Sequence, residues 1–245
     1  MFRVEIRSET MKGLVTIMST IVDEVKFTID ENGMKFKAVD PAHIAMMSLV
    51  IAKGAFESYA AEPCEIGLDL DKIKSVLKLA GPGDIITLEQ DESHGKLIIR
   101  IKNITRRMSL IDTSGIPDIR LPNPDLSAKV DLAIEHLQYG IKAAESISDH
   151  IALRADKEGF ELSCDGETDS VNLKVAKADI SALIVEEPVC SMFPLDYFSN
   201  VVKAIPAGTN VTLEMDNDRP LSFRFGMADG NIDAQYFLAP RIEND

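Results

Sequence analysis

Few residues of this 245-residue chain are spaced for covalent or metal chemistry. Its three cysteines, Cys64, Cys164 and Cys190, are far apart and form no C-x-x-C pair. Neither a thiolate zinc site nor a disulfide framework is expected, and the thiols read as reduced packing residues. The four histidines, His43, His94, His136 and His150, include no H-E-x-x-H. Asp40-x-x-His43 has the spacing of half a metal site, but no third ligand is near in sequence. His43 itself, between Ala42 and Ile44, reads as a semi-buried structural histidine. Neither the glycine-rich phosphate loops nor a G-x-S-x-G elbow occurs. Dispersed carboxylates such as Asp69, Asp71 and Asp165 lack a base, nucleophile or metal ligand at useful spacing. What remains is binding and scaffolding, with no catalytic residue, metal or cofactor expected.

The composition is that of a folded protein, with 45% hydrophobic and 27% charged residues, which excludes intrinsic disorder. No apolar run approaches the roughly 20 residues that cross a bilayer, and the opening MFRVEIRSETMKGL lacks the apolar stretch of a signal peptide. A cytoplasmic protein without a membrane partner is expected. Net charge is −14, which as a sum argues against phosphate contacts. The distribution matters more. Residues 1–125 carry 16 Lys+Arg against 19 Asp+Glu, or −3, and residues 126–245 carry 10 against 21, or −11. Charges farther apart than about 8 Å are largely screened at physiological salt, so a small basic surface can persist on an acidic molecule.

The elements that position these residues come in two copies. Residues 70–91 and 195–216 share nine identities in 22 positions at an offset of 125, including Leu70/Leu195, Asp71/Asp196, Lys78/Lys203 and Gly83/Gly208. Residues 23–40 and 149–166 agree at an offset of 126. Two blocks in the same order mean a duplicated domain. Each copy reads as a strand (2–7; 128–134), an amphipathic helix (9–22; 135–148) and hairpin strands. A short helix (71–80; 196–205) and closing strands follow. The segment 113–127 has three prolines and no period, and reads as a linker between domains 1–112 and 128–245.

Apolar stripes on these helices leave polar faces outward. Lys12, Thr16 and Ser19 fall on the first; Asp71, Lys74, Ser75 and Lys78 on the second. Glu135, Gln138, Lys142 and Glu145 fall on the third, and Asp196, Ser199, Asn200 and Lys203 on the fourth.

Several strings carry a family resemblance: M-F-R at the start, D-P-A-H-I at 40–44, G-L-D-L-D-K-I-K-S-V-L-K at 67–78, D-I-I-T-L at 84–88, S-L-I-D at 109–112 and F-L-A-P-R-I-E at 237–243. With the repeat, they make the whole chain resemble a DNA sliding clamp of the proliferating cell nuclear antigen family, archaeal in type. The N-P-D at 123–125 departs from that pattern as a small linker insertion. The resemblance implies an α+β fold of two similar clamp domains per chain. Curved antiparallel sheets would lie outside, and short helices would line a ring of three identical subunits. It implies a processivity factor for DNA polymerase and a docking platform for replication and repair proteins, at the nucleoid or, in a eukaryotic source, the nucleus. A checkpoint-type clamp, or one chain of a heterotrimeric ring, is the alternative.

On that resemblance, Lys12, Lys72, Lys74, Lys78, Lys142 and Lys203 would face duplex DNA and touch phosphates without reading sequence. Clients such as DNA polymerase, clamp loader, flap endonuclease and DNA ligase would insert a short aromatic-bearing peptide. Its cavity would be formed by Val39, His43, Ile44, Ile119, Leu121, Leu126, Pro220, Phe237, Leu238, Ala239 and Pro240. Strand 102–111 should be an edge that pairs with strand 171–175 of the next subunit. That contact would use Arg106, Arg107 and Met108 on one side and Asn172, Leu173 and Lys174 on the other.

Overall fold

The computed structural model describes residues 2–241; Met1 and the Ile242–Glu243 end of the L-A-P-R-I-E string lie outside the described residues. In chain order the elements begin β1 (Phe2–Arg7), α1 (Ser8–Met18), β2 (Glu24–Asp30), β3 (Gly33–Val39) and β4 (Ala45–Ala52). They continue β5 (Ser58–Ala61), β6 (Cys64–Asp69), α2 (Leu70–Leu77), β7 (Ile85–Asp91), β8 (Lys96–Ile101) and β9 (Ile104–Ser109). After the linker come β10 (Ala128–Ala133), α3 (Ile134–Ala144), β11 (His150–Asp156), β12 (Gly159–Asp165) and β13 (Ser170–Ala176). The last are β14 (Ala182–Ile184), β15 (Val189–Pro194), α4 (Leu195–Ala204), β16 (Asn210–Met215), β17 (Leu221–Met227) and β18 (Ile232–Leu238). Among the described residues no helix is long and apolar enough to cross a membrane.

The chain forms two compact units that differ in two pieces from the sequence boundaries. Among the described residues, the first holds 2–41, 47–120 and 226–234; the second holds 42–46, 121–225 and 235–241. In the first, the Ala52 amide donates to the Asn231 carbonyl at 2.8 Å; in the second, the Ala239 amide donates to Ile44 at 2.9 Å. Such pairings fasten short pieces to a unit from which they are remote in sequence.

In the first unit β5-β1-β7-β8-β9 form one antiparallel sheet with β9 at its edge. In the second, β13-β12-β11-β15 form another with β13 at its edge. Strand alternation puts Val4, Ile6, Ile86 and Leu88 in the first core and Val130, Leu132, Ile151 and Leu153 in the second. The helices close those cores through Met11, Leu14, Val15 and Met18 on α1 and Ile134, Leu137, Ile141 and Ala144 on α3.

The duplication extends to individual bonds. The Ser8 amide donates to Asp84 and the Ile134 amide to Thr209, while Leu70 donates to Asp23 and Leu195 to Asp149. Glu9 accepts the Gly83 amide, and Glu135 that of Gly208. Both glycines have φ near +80°, where a side chain would be strained.

Each of α1 to α4 ends earlier than its apolar stripe suggests. After Met18, Thr20 and Ile21 make tight i−3 amide bonds to Ile17 and Met18, and Thr20 Oγ1 also donates to Ile17 O. The side-chain bond competes for the carbonyl that another turn would need. Ile205 leaves the helical region because Pro206 follows it.

Candidate functional site

The six lysines expected to face DNA are not equivalent. In the first unit Lys12 turns across to the segment after α2, and its Nζ donates to Ala80 O at 2.6 Å. Lys72 Nζ lies 3.0 Å from Asp69, and Lys74 Nζ 3.1 Å from Asp71. Lys78 is exposed and, among the described residues, has no carboxylate within 4.0 Å. In the second unit Lys203 is ion-paired with Glu145, which also accepts Ser199 Oγ at 2.5 Å. The Lys203 hydrogen bond holds the Glu145 carboxyl below its ordinary range, with Ser199 adding to the shift. Lys142 is exposed and free of any such pair among the described residues. Tyr139, 72% exposed, stands one turn before it on the same face. Gln138, expected outward, instead donates from Nε2 to Val202 O and Ile205 O.

Two of the three carboxylates considered for chemistry have structural work. Asp69 caps α2 by accepting the Lys72 amide at 2.9 Å, a bond that depresses its carboxyl most, followed by that to Lys72 Nζ. Asp71 is tied to Lys74, and Asp165 is exposed at the end of β12. The reading of His43 as semi-buried is corrected: it is exposed, in a turn, at φ 59°. Asp40, three residues earlier, is buried. The thiols also differ from the packing expectation. All three are free, but only Cys164 is buried; Cys64 is half-buried and Cys190 exposed.

The expected peptide-pocket residues divide between the units. Val39 and Ile119 belong to the first, and both are half-buried. The second holds the rest, and there Ile44 and Ala239 are joined directly by the backbone bond already described. Leu121, Leu126, Pro220, Ala239 and Pro240 are half-buried, whereas Phe237 is 3% exposed and Leu238 fully buried. The last two are core residues rather than surface ones.

Both strands expected at a subunit contact are sheet edges within their own units. On β9, Ile104, Thr105, Arg106 and Arg107 are exposed while Met108 turns into the core. Arg106 Nη1 donates to Ser75 Oγ at 2.9 Å. On β13, Asn172 and Lys174 are exposed and both reach Glu161, at 2.6 and 3.4 Å. Leu173 is half-buried against α3, where a Cβ on Gly140 would come within 2.9 Å of its methyl group.

Missed by sequence reasoning is the fastening of the linker. Lys26 Nζ lies 2.5 Å from Asp118 Oδ1. Alternation along β2 places Lys26 on the outward face, but spacing alone does not reveal which acid meets it.

Two family models match the chain: the proliferating cell nuclear antigen N-terminal domain over residues 1–114, and its C-terminal domain over residues 120–241. Curated relatives described as DNA polymerase sliding clamps include one from Methanosarcina mazei, 39% identical, and one from Natronomonas pharaonis, 35% identical. Each match covers all of both chains. Among solved structures, A. fulgidus PCNA bound to the C-terminal region of FEN-1 superposes with TM-score 0.94 at 30% identity, covering both chains completely. PCNA from Thermococcus kodakaraensis shares the fold at TM-score 0.92 and 22% identity, over 98% of this chain and all of the other.

Proposed function

The chain belongs to the proliferating cell nuclear antigen family, and from that premise we propose how its own residues serve a DNA polymerase sliding clamp. The clamp is a ring of three identical chains that encircles duplex DNA and tethers DNA polymerase, flap endonuclease and other replication and repair proteins. It has no catalytic step of its own, and it works in the cytoplasm at the nucleoid. The observation that carries this reading is the match of both halves, in order and over the full chain, to the two domains of that family.

Within it, the end of α2 and the exposed face of α3 meet DNA through Lys78 and Lys142, with Lys72, Lys74 and Lys203 held back by their own carboxylates. These contacts position the duplex without reading sequence. Retention is topological, so a few phosphate contacts suffice on a protein of net charge −14. Ring closure uses the edges β9 and β13, because an unpaired edge is a template for another chain's strand. A heterologous contact of this kind closes into a ring when its rotation allows. Client peptides dock on the surface built by Ile44, Leu121, Leu126, Pro220, Ala239 and Pro240.

Two measurements test this reading. The solution mass should be three times 26.9 kDa. Once loaded, the protein should be retained far longer on circular than on linearised DNA at equal salt. A monomer at all concentrations, or equal and rapid loss from both DNAs, would overturn it.

A further inference from the structure

On the outward face of the first unit, β2 and β3 bring three lysines to one cavity of about 350 Å³. Its lining includes Lys26, Lys35, Lys37, Glu65, Asp118 and Ile119. Lys35 lies opposite Thr28 in the β2–β3 register, and Lys37 is two residues farther along the same face. The side chain of Lys26 is only 11% exposed, and its ammonium rests on Asp118, whose side chain is 88% exposed. Glu65 is the second acid near Lys26, at 3.9 Å, and is itself hydrogen-bonded by Thr113 at 3.2 Å. Lys35 is paired with Asp30 at 3.3 Å. Lys37 is exposed and, among the described residues, has no carboxylate within 4.0 Å.

This arrangement is asymmetric. A nearly buried ammonium needs an anionic partner at all times, since leaving it unpaired is strongly unfavourable. The partner it has is an exposed side chain on a linker segment outside any strand. A second carboxylate could therefore take the place of Asp118 without stranding Lys26, and it would also meet the Lys37 ammonium, whose charge already acts on Asp118 from beyond ion-pair distance. We propose that Lys26, Lys35 and Lys37 form a carboxylate-binding site for an acidic segment of a partner protein, and that Asp118 is its built-in competitor. The linker's first half is then held down when the site is empty of partner and released when an acidic segment enters. The site lies wholly in the first unit, and its ligand class differs from the aromatic-bearing peptides read above. Charge complementarity selects the occupant: once Asp118 is displaced, three lysines face only Glu65 and Asp30, a local positive excess on a protein whose average surface, at net −14, repels an acidic peptide.

The test uses a fluorescent hexaglutamate peptide, with hexaglutamine as the neutral control, on the full chain at low salt. Asp118→Asn should tighten hexaglutamate binding by about threefold, the scale of one exposed ion pair, and Lys37→Glu should weaken it by at least as much. Hexaglutamine should not respond to either change. Limited proteolysis of the linker near Arg120 should quicken in Asp118→Asn and, for the wild type, on adding hexaglutamate. If Asp118→Asn leaves hexaglutamate affinity unchanged or lowers it, Asp118 is not a competitor and the proposal fails. Affinity insensitive to Lys37→Glu would overturn the site itself. Neither readout uses DNA or the trimer, so failure here is distinct from failure of the clamp reading.

Discussion

The ammonium of Lys12 lies 2.6 Å from the carbonyl oxygen of Ala80, three residues past the end of the second helix of its unit. The repeat-equivalent pair does the same: Gln138, 126 residues later, donates to Ile205 at 2.9 Å. A position that is lysine in one copy and neutral glutamine in the other is held by its hydrogen bond rather than by its charge. Both acceptors belong to buried residues, where a carbonyl needs a donor, and either side chain supplies one. Lys12→Gln should therefore leave the melting temperature and DNA retention nearly unchanged. Lys12→Ala should cost about 1 kcal/mol, the usual value of one such bond. Calorimetric melting of both variants checks this, and a marked loss of DNA retention in Lys12→Gln would return Lys12 to the DNA-facing set.

The same reasoning selects the lysines that matter for DNA. Lys78 and Lys142 are the two of the six with neither a carboxylate nor a carbonyl as partner among the described residues. Changing both to Glu should weaken binding to duplexes of any sequence and flatten the salt dependence by about one unit of slope per lost phosphate contact. Circular dichroism should be unchanged. Lys203→Glu is a poorer probe, since it would set a second carboxylate against Glu145 and disturb the α3–α4 contact. A double Lys78→Glu/Lys142→Glu variant with wild-type salt dependence would remove these residues from the lining.

Much of the architecture could be read from the chain because it is written twice. The match of Leu70-Asp71 with Leu195-Asp196 at one offset fixes the duplication, and strand alternation then orients each copy. Helix ends were less legible, because Thr20 and Pro206 act through carbonyl competition and backbone sterics that an apolar stripe does not register. The lysines at 142 and 203 are exposed on their helices as their spacing suggests, whereas Lys78 is exposed just past the end of α2. Nothing in their spacing shows that Glu145 takes one of them or that Ala80 takes Lys12. These are contacts between elements about 60 residues apart. The Lys26–Asp118 tie, 92 residues apart, was invisible for the same reason. The strand pieces exchanged between the units were missed because no local pattern marks residues 42–46 or 226–234 as belonging elsewhere.

Tyr59 offers a pH test of the first unit. Its hydroxyl lies 2.7 Å from the carbonyls of both Asp30 and Gly33, closing the β2–β3 turn. Burial, followed by the nearby Asp30 charge, pushes its pKa from 10.0 up to about 12. The fold therefore favours the neutral phenol. That contribution is complete below pH 10 and is lost as pH rises from 10 through about 12. Tyr59→Phe should cost about 1 kcal/mol at neutral pH and show a shallower loss of stability above pH 10 than the wild type. Urea midpoints for both proteins between neutral and alkaline pH are the measurement; parallel curves would refute the assignment.

On the proposed client surface, exposure separates binding from stability. Leu121 is half-buried, so Leu121→Ala should weaken an aromatic-bearing client peptide by about 1 to 3 kcal/mol while the melting temperature holds. Phe237 is nearly inaccessible, and Phe237→Ala should destabilise the second unit by about 3 to 5 kcal/mol before any binding effect is read. Titration calorimetry and thermal melting on both variants distinguish the two roles. Unchanged peptide affinity in Leu121→Ala would withdraw the linker leucine from the site.

The ring contact has its sharpest probe in Arg107. Its neighbour Arg106 is partly engaged by Ser75, and Met108 is buried, so neither isolates the edge. Arg107 is exposed at the centre of β9 and, among the described residues, has no ion pair. The proposed partner edge, β13, belongs to the half carrying −11 and stands beside Glu161. A cation entering that field speeds association and steadies the closed contact, both less so at high salt. Arg107→Glu turns each such attraction into a repulsion. With one to two kcal/mol at stake per contact, the concentration at which the trimer half-dissociates should rise by about tenfold or more. The wild-type trimer should loosen as salt is raised, whereas the variant should be loosest at low salt and tighten. Sedimentation at several protein and salt concentrations reads both trends. A variant trimer as stable as the wild type at low salt would place Arg107 away from the subunit contact, and with it the pairing of β9 and β13 would have to be given up.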